Sequence, residues 1–296
     1  MRQAVPPRVV AVGVEETSES LEAARYAAAM ADERGWDLLV VHAYQLPPGP
    51  PGVSVEILDS TRDAADRLVD EVLRGVQVSP RTEVLRVVTA AGLVTTLRDI
   101  SHDVSLLVLG QHQLDRPNQL LLGRVGSAVC ARAACPVVVV PPGWTRWRSL
   151  GGPVVVALDA ETPAQVALGF AFDEAERRRT DVVALHAVPL EQDASSSEDR
   201  LCLEEVLAGA KEDHPDVTVR TRLVLGDPRG WIVHESMQAS LMVVGHPHHG
   251  EHLGGWSRSV ARGVMDRSFC PVAVVPRSER LRSRSGSRGV GSLVRG

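Results

Sequence analysis

Aromatic residues make up only 3% of this 296-residue chain, and Lys211 is the single lysine among 32 basic residues. So few rings exclude a base-stacking surface for single-stranded nucleic acid, and they leave any core to Val, Leu and Ala. The lack of lysine reads as codon bias toward arginine in a GC-rich genome rather than as chemistry. Cysteine is scarce too. Cys130, Cys135, Cys202 and Cys270 include no CxxC pair, so a reduced, cytoplasmic setting is expected. Long apolar runs are missing. The longest are strand-sized, as in Val137 to Val140, which predicts no membrane-spanning helix. Arg8, then Glu15 and Glu16, flank a short apolar run near the start, which is not the layout of a signal peptide.

What is present suits a soluble globular protein with real cores: 44% hydrophobic and 23% charged residues, at a length that suggests about two domains. The net charge of −5 is uneven, because residues Arg277 to Gly296 hold six arginines against one acid, Glu279. The body is therefore more acidic than the total, which disfavours nonspecific DNA binding. The Arg/Ser/Gly-rich tail, 277–296, is expected to be disordered. Its charge suits nucleic acid or anionic lipid, but a solvated tail is the simpler reading.

The chain repeats itself. Cys135-Pro136-Val137-Val138-Val139-Val140-Pro141 recurs as Cys270-Pro271-Val272-Ala273-Val274-Val275-Pro276, and Leu107-Val108-Leu109-Gly110 as Met242-Val243-Val244-Gly245. Val9 to Glu15 recurs as Pro153 to Asp159, and Val40-Val41-His42-Ala43 as Ala184-Leu185-His186-Ala187. The order is the same in both copies, which makes two domains, 1–142 and 153–276, joined by 143–152. The first copy carries an extra Pro47-Pro48-Gly49-Pro50-Pro51-Gly52 stretch, a surface insertion.

Within copy one, apolar runs predict strands over 8–14, 37–44, 82–88, 104–110 and 136–140. Helical spacing predicts helices over 18–34, 54–75, 91–102 and 123–133. Ser18 is the expected cap of the first helix, and Ile57, Ala64, Ala65, Leu68 and Val72 the inward face of the second. Continuous apolar strands alternating with helices mean a parallel sheet covered on both faces. Ligands of such sheets bind beyond the carboxyl ends of the strands, where the strand order reverses.

The acidic residue after strand one, the Val-His-Ala after strand two, the Gly after strand four and the closing Cys-Pro-Val together resemble the universal stress protein family in its tandem form. The resemblance spans Arg8 to Pro276. It implies two α/β domains, each a five-stranded parallel sheet of order 3-2-1-4-5, forming an intrachain pseudo-dimer, with a homodimer as a further option. Many members of the family bind ATP, with Mg, through Gly-x2-Gly-x9-Gly-Ser/Thr, whose glycines let the main chain approach the phosphates. In copy one those four positions are Gly110, Gln113, Gly123 and Arg124, and in copy two Gly245, His248, Arg258 and Ser259. Two of the four depart from the pattern in each copy, although the spacing holds.

The resemblance also assigns the adenosine end to Glu15 in copy one and Asp159 in copy two. Val41-His42 and Leu185-His186 then lie against the base. Gly126 and Ser127 leave small groups beside Arg124, and the retained Gly110 and Gly123 make copy one the better candidate. Glu15 and Glu16 oppose a polyanion there. Arg124 and Arg258 either bind phosphate with their bidentate forks or fill the pocket by pairing with Glu15, Glu16 or Asp159.

Other clusters are weaker. His246, His248, His249 and His252 with Glu251 suit a transition metal or a phosphate clamp, but adjacent histidines in a Gly-rich loop read more simply as exposed. No metal is expected beyond Mg with the nucleotide. His42 and His186 are expected to hold hydrogen bonds rather than catalyse, and Cys135 and Cys270 to be buried packing residues. Trp144, Trp147, Trp231 and Trp256 read as packing or interface residues. No Gly-x-Ser-x-Gly elbow, Gly-x4-Gly-Lys loop or dinucleotide glycine motif occurs. The expected function is a cytoplasmic stress regulator or protectant with a weakened ATP site in each domain. A nucleotide-free interaction scaffold with an unknown protein partner is the rival, and a slow ATP hydrolase stands behind both.

Overall fold

A computed structural model describes residues 8–45, 55–111, 124–145, 151–158, 165–188, 197–245 and 256–276. The chain divides into two compact units between Gly143 and Trp144. In the first, the elements are β1 (Val9–Gly13), α1 (Ser18–Arg34), β2 (Asp37–Ala43), α2 (Val55–Arg74), β3 (Val84–Thr89), α3 (Leu93–Ile100), β4 (Leu106–Gly110), α4 (Arg124–Cys130) and β5 (Val137–Val140). Their strands lie in the order β3-β2-β1-β4-β5, all parallel. The second unit contains β6 (Val154–Leu158), α5 (Gln165–Arg178), β7 (Val182–Val188), α6 (Ser197–Asp213), β8 (Val219–Leu225), α7 (Pro228–Ser236), β9 (Leu241–Gly245), α8 (Trp256–Arg267) and β10 (Val272–Val275). Its order, β8-β7-β6-β9-β10, is the same, again with every pair parallel. Both are the 3-2-1-4-5 sheet that the family resemblance implies.

Strands β1, β5 and β10 bury every residue, as in Val9 to Gly13 and Val137 to Val140, because helices cover both faces. The core is aliphatic. Among the largest fully buried side chains Phe172 is the one aromatic, beside Leu38, Leu39, Leu107 and Leu241. Burying each such leucine contributes about 1.5–3 kcal/mol.

Two local expectations are corrected. The cap of α1 is Thr17, not Ser18: the Thr17 side chain accepts from the Ser20 N–H. Thr17 has the extended backbone that a cap requires, whereas Ser18 is already inside the helix. On α2 the buried residues are Ala65, Val69 and Val72, while Ala64 is exposed and Leu68 half-buried. The 3.6-residue turn favours the Val69 stripe over Ala64.

Helix α1 ends on Gly35 at φ 60°, with Gly35 N–H donating to the Asp32 carbonyl and Trp36 N–H to that of Ala31. This Schellman end turns the chain into β2. The second unit builds the same end on Arg179 at φ 54°, with Arg179 and Thr180 donating to Glu176 and Ala175. Among the described residues no helix is long and apolar enough to cross a membrane.

Candidate functional site

In each unit the strand order reverses at the first strand: β1 lies between β2 and β4, and β6 between β7 and β9. A crevice therefore opens beyond the carboxyl ends of these strands. Val14 N–H donates to the Val41 carbonyl at 2.9 Å, so Val41 is committed to the sheet. The His42 ring bonds the Val14 carbonyl through Nδ1 at 2.8 Å, and His186 bonds the Leu158 carbonyl at 3.0 Å. A carbonyl only accepts, so Nδ1 carries the proton in both rings. Both histidines are buried. They fasten the end of the first strand to the second, the hydrogen-bonding role expected for them. Leu185, beside His186, is buried.

The loop after β1 folds back on its helix. Glu15 N–H donates to Ser20 Oγ at 2.9 Å, and Thr17 Oγ1 donates to the same atom at 3.0 Å. Glu15 itself is exposed. Gly126 is buried and Ser127 half-buried on α4, which begins at Arg124. Arg258 and Ser259 fall in the first turn of α8. Gly123, Asp159, the His246–His252 run, the proline-rich insertion, Trp147 and the Arg-rich tail lie outside the described residues. So do the side chains of Arg124, Cys202, Trp256, Arg258 and Ser259. Trp231 donates from Nε1 to the Leu225 carbonyl at 2.9 Å.

In the first unit the first glycine of the motif is fixed by packing. A Cβ on Gly110 would stand 2.6 Å from the Glu19 carbonyl oxygen and 2.9 Å from its carbon. That backbone belongs to the first turn of α1, so Gly110 is required for helix α1 to lie on β4. Among the described residues, a Cβ on Gly245 would meet nothing within 4 Å.

Three cysteines are free and buried: Cys130, Cys135 and Cys270. Burial pushes the Cys130 and Cys135 thiols up to about 12 and that of Cys270 to about 11. They are protonated packing groups at neutral pH. One cluster escaped the sequence: Asp173, Glu176 and His214 in the second unit. No spacing signals it, because His214 comes from the far side of β7.

The universal stress protein family model matches residues 7–141 and 152–276. A universal stress protein of Mycobacterium tuberculosis is 32% identical over 291 residues, covering 91% of this chain and 96% of its own. One from Mycolicibacterium smegmatis is 30% identical over 288 residues, covering 90% and 96%. The crystal structure of a universal stress protein from Archaeoglobus fulgidus covers 92% of this chain and 99% of its own, with a TM-score of 0.68 at 19% identity. A duplicated 3-2-1-4-5 sheet, two family matches and tandem relatives aligned almost end to end give one conclusion: the chain belongs to the universal stress protein family.

Proposed function

We propose that this protein is a cytoplasmic stress-response regulator or protectant that binds adenine nucleotide, as Mg-ATP, in a weakened site at the carboxyl edge of its sheets. The observation that carries the reading is the reversal of strand order at β6, because sheets of this kind take their ligands beyond the carboxyl ends of the strands beside such a reversal, and Gly245 closes β9 there. The second domain also keeps Asp159 and Ser259 in the motif positions. This makes it the stronger of the two sites, the reverse of the order that retained glycines suggest.

The residues then divide the work. His186 holds the ends of β6 and β7 together, so the backbone edge that faces the base is rigid. Gly245 admits the phosphates, and the Arg258 guanidinium supplies charge where the family uses glycine. Mg, brought with the nucleotide, would neutralise phosphate charge. The arrangement suits binding and sensing a nucleotide.

Native mass spectrometry of the protein as purified, then with millimolar Mg-ATP, tests this. The expected result is a mass excess of one or two nucleotides that disappears in Gly245→Val. Weaker binding in Arg258→Gly makes the arginine a phosphate ligand, whereas tighter binding makes it a plug. A mass that stays bare overturns the nucleotide reading. It would leave the scaffold reading, which one observation favours. Met237 and Phe269 are 54% and 61% exposed, joined through the Phe269 N–H to Ser236 Oγ bond, where the first domain has His102 and Ala134.

A further inference from the structure

Away from the crevice, the second domain brings one histidine and two carboxylates together. Asp173 and Glu176 lie three residues apart on α5 and share a face. His214 directly follows α6. Glu176 Oε2 is 3.1 Å from His214 Nδ1, and Asp173 Oδ1 is 3.8 Å from Nε2. One donor atom from each residue lies within 4.8 Å of the other two. The imidazole is the fixed member. Its side chain is 14% exposed, against 53% for Asp173 and 59% for Glu176. It packs on the buried Phe172 ring with centroids 5.5 Å apart.

Each ring nitrogen faces a carboxylate oxygen, at 3.1 and 3.8 Å, so a cation bound there meets an imidazole nitrogen and carboxylate oxygens together. Burial pushes the Asp173 carboxyl up, against Arg177 and His214, with smaller pushes from Glu174 and Glu176. Glu174 is engaged with Arg178 at 3.4 Å.

We propose that Asp173, Glu176 and His214 form a binding site for a divalent transition-metal ion of the zinc class. One oxygen from each carboxylate and one imidazole nitrogen are the ligands, and water completes the shell. A mixed nitrogen and oxygen set suits such an ion, whereas Mg and Ca prefer oxygen alone. Bonds of about 2.0–2.2 Å hold tetrahedral donors roughly 3–3.5 Å apart. The set therefore has to contract by about an ångström, a rotamer change open to the half-exposed carboxylates while the ring stays fixed.

The first domain provides the control. Asp32 stands where Glu176 does, three residues before the left-handed residue that ends the helix, Gly35 in one and Arg179 in the other. Ser79 precedes β3 by five residues, as His214 precedes β8. Asp32 accepts from the Ser79 N–H at 3.1 and 3.2 Å and from Thr82 Oγ1 at 2.7 Å. Neutral donors close that junction, and Ala29 stands in place of Asp173. The proposal is therefore one ion per chain, tying α5 to the end of α6.

Isothermal titration of the metal-stripped full-length protein with zinc chloride at neutral pH tests it. The background carries alanine at His246, His248, His249 and His252, so that this run takes no zinc. The expected result is one equivalent of zinc. Its affinity falls by about tenfold or more in Asp173→Asn and disappears in His214→Ala, while magnesium gives no heat. Thermal denaturation of Asp173→Asn, an exposed substitution, verifies that the variant folds like its parent. Absence of zinc binding overturns the proposal, as does unchanged affinity in Asp173→Asn or retained zinc in His214→Ala.

Discussion

Gly35 ends α1 at φ 60°, and Arg179 ends α5 at φ 54°, with the same two backbone hydrogen bonds closing each turn. His42 and His186 likewise make one bond each, to Val14 and Leu158, at equivalent places. Backbone geometry has been kept in both domains, with the same side chain at the histidines and different ones at the helix end. The domains diverge at the junction between the first helix and the third strand. Asp32 meets a hydroxyl and an amide, whereas Glu176 meets an imidazole. The lesson is that a duplicated fold preserves hydrogen-bond positions first. Chemistry at the same positions is then free to change, and here an imidazole in the second domain replaces the neutral donors of the first.

The largest effect should come from the thiols. Their raised values mean that the folded state keeps protons which the unfolded chain gives up near pH 9. The stability they contribute is therefore complete below about pH 9 and is lost as the pH climbs toward 12, at about 1.4 kcal/mol per pH unit for each thiol. The first domain has two such groups, Cys130 and Cys135, and the second has Cys270 among the described residues. Urea denaturation as a function of alkaline pH should show a shallower fall in Cys135→Ala than in the parent. An unchanged slope would mean that Cys135 is solvated.

The glycine of the first domain comes next. Gly110→Ala forces a Cβ against the Glu19 backbone and should destabilise by about 1–3 kcal/mol. An unchanged midpoint in urea denaturation would mean that α1 moves aside for the Cβ at no cost. Asp32→Ala strips the acceptor from the Ser79 amide and Thr82 hydroxyl, with an expected loss of about 1 kcal/mol. Asn at the same position should recover part of it. The smallest change has the opposite sign. Arg179→Gly relieves a left-handed residue and should stabilise by about 1 kcal/mol or less, after the added freedom of the unfolded chain is subtracted. A loss of stability there would show that the Arg179 side chain has a contact worth more than the strain.

Much of the fold was legible in the sequence because its signals are local. Strands buried on both faces read as unbroken apolar runs, as in Val137 to Val140, and the duplication showed the same run closing each domain at Val272 to Val275. The errors were also local. Thr17 and Ser18 are equally good caps by composition, and only the backbone angles separate them. Ala64 and Val69 compete for one helical stripe, and the depth of the sheet beneath α2 decides for Val69. At the carboxyl ends of the strands, the sequence marked Gly110 as a motif glycine. That it is also held by packing depends on how closely α1 approaches β4, a distance that no motif encodes.

By itself, then, the sequence determined the repeat, the order of strands and helices, and membership in a family with a nucleotide-type crevice. Hydrophobic periodicity and motif spacing are properties of neighbouring residues, so they survive without coordinates. Only the tertiary structure decided which glycine is structural, which histidine nitrogen holds a proton, and that His214 meets Glu176 across 38 residues of chain. Those outcomes arise where separate elements pack together, and the energy of a contact depends on distances of a few tenths of an ångström that side-chain identity alone does not set.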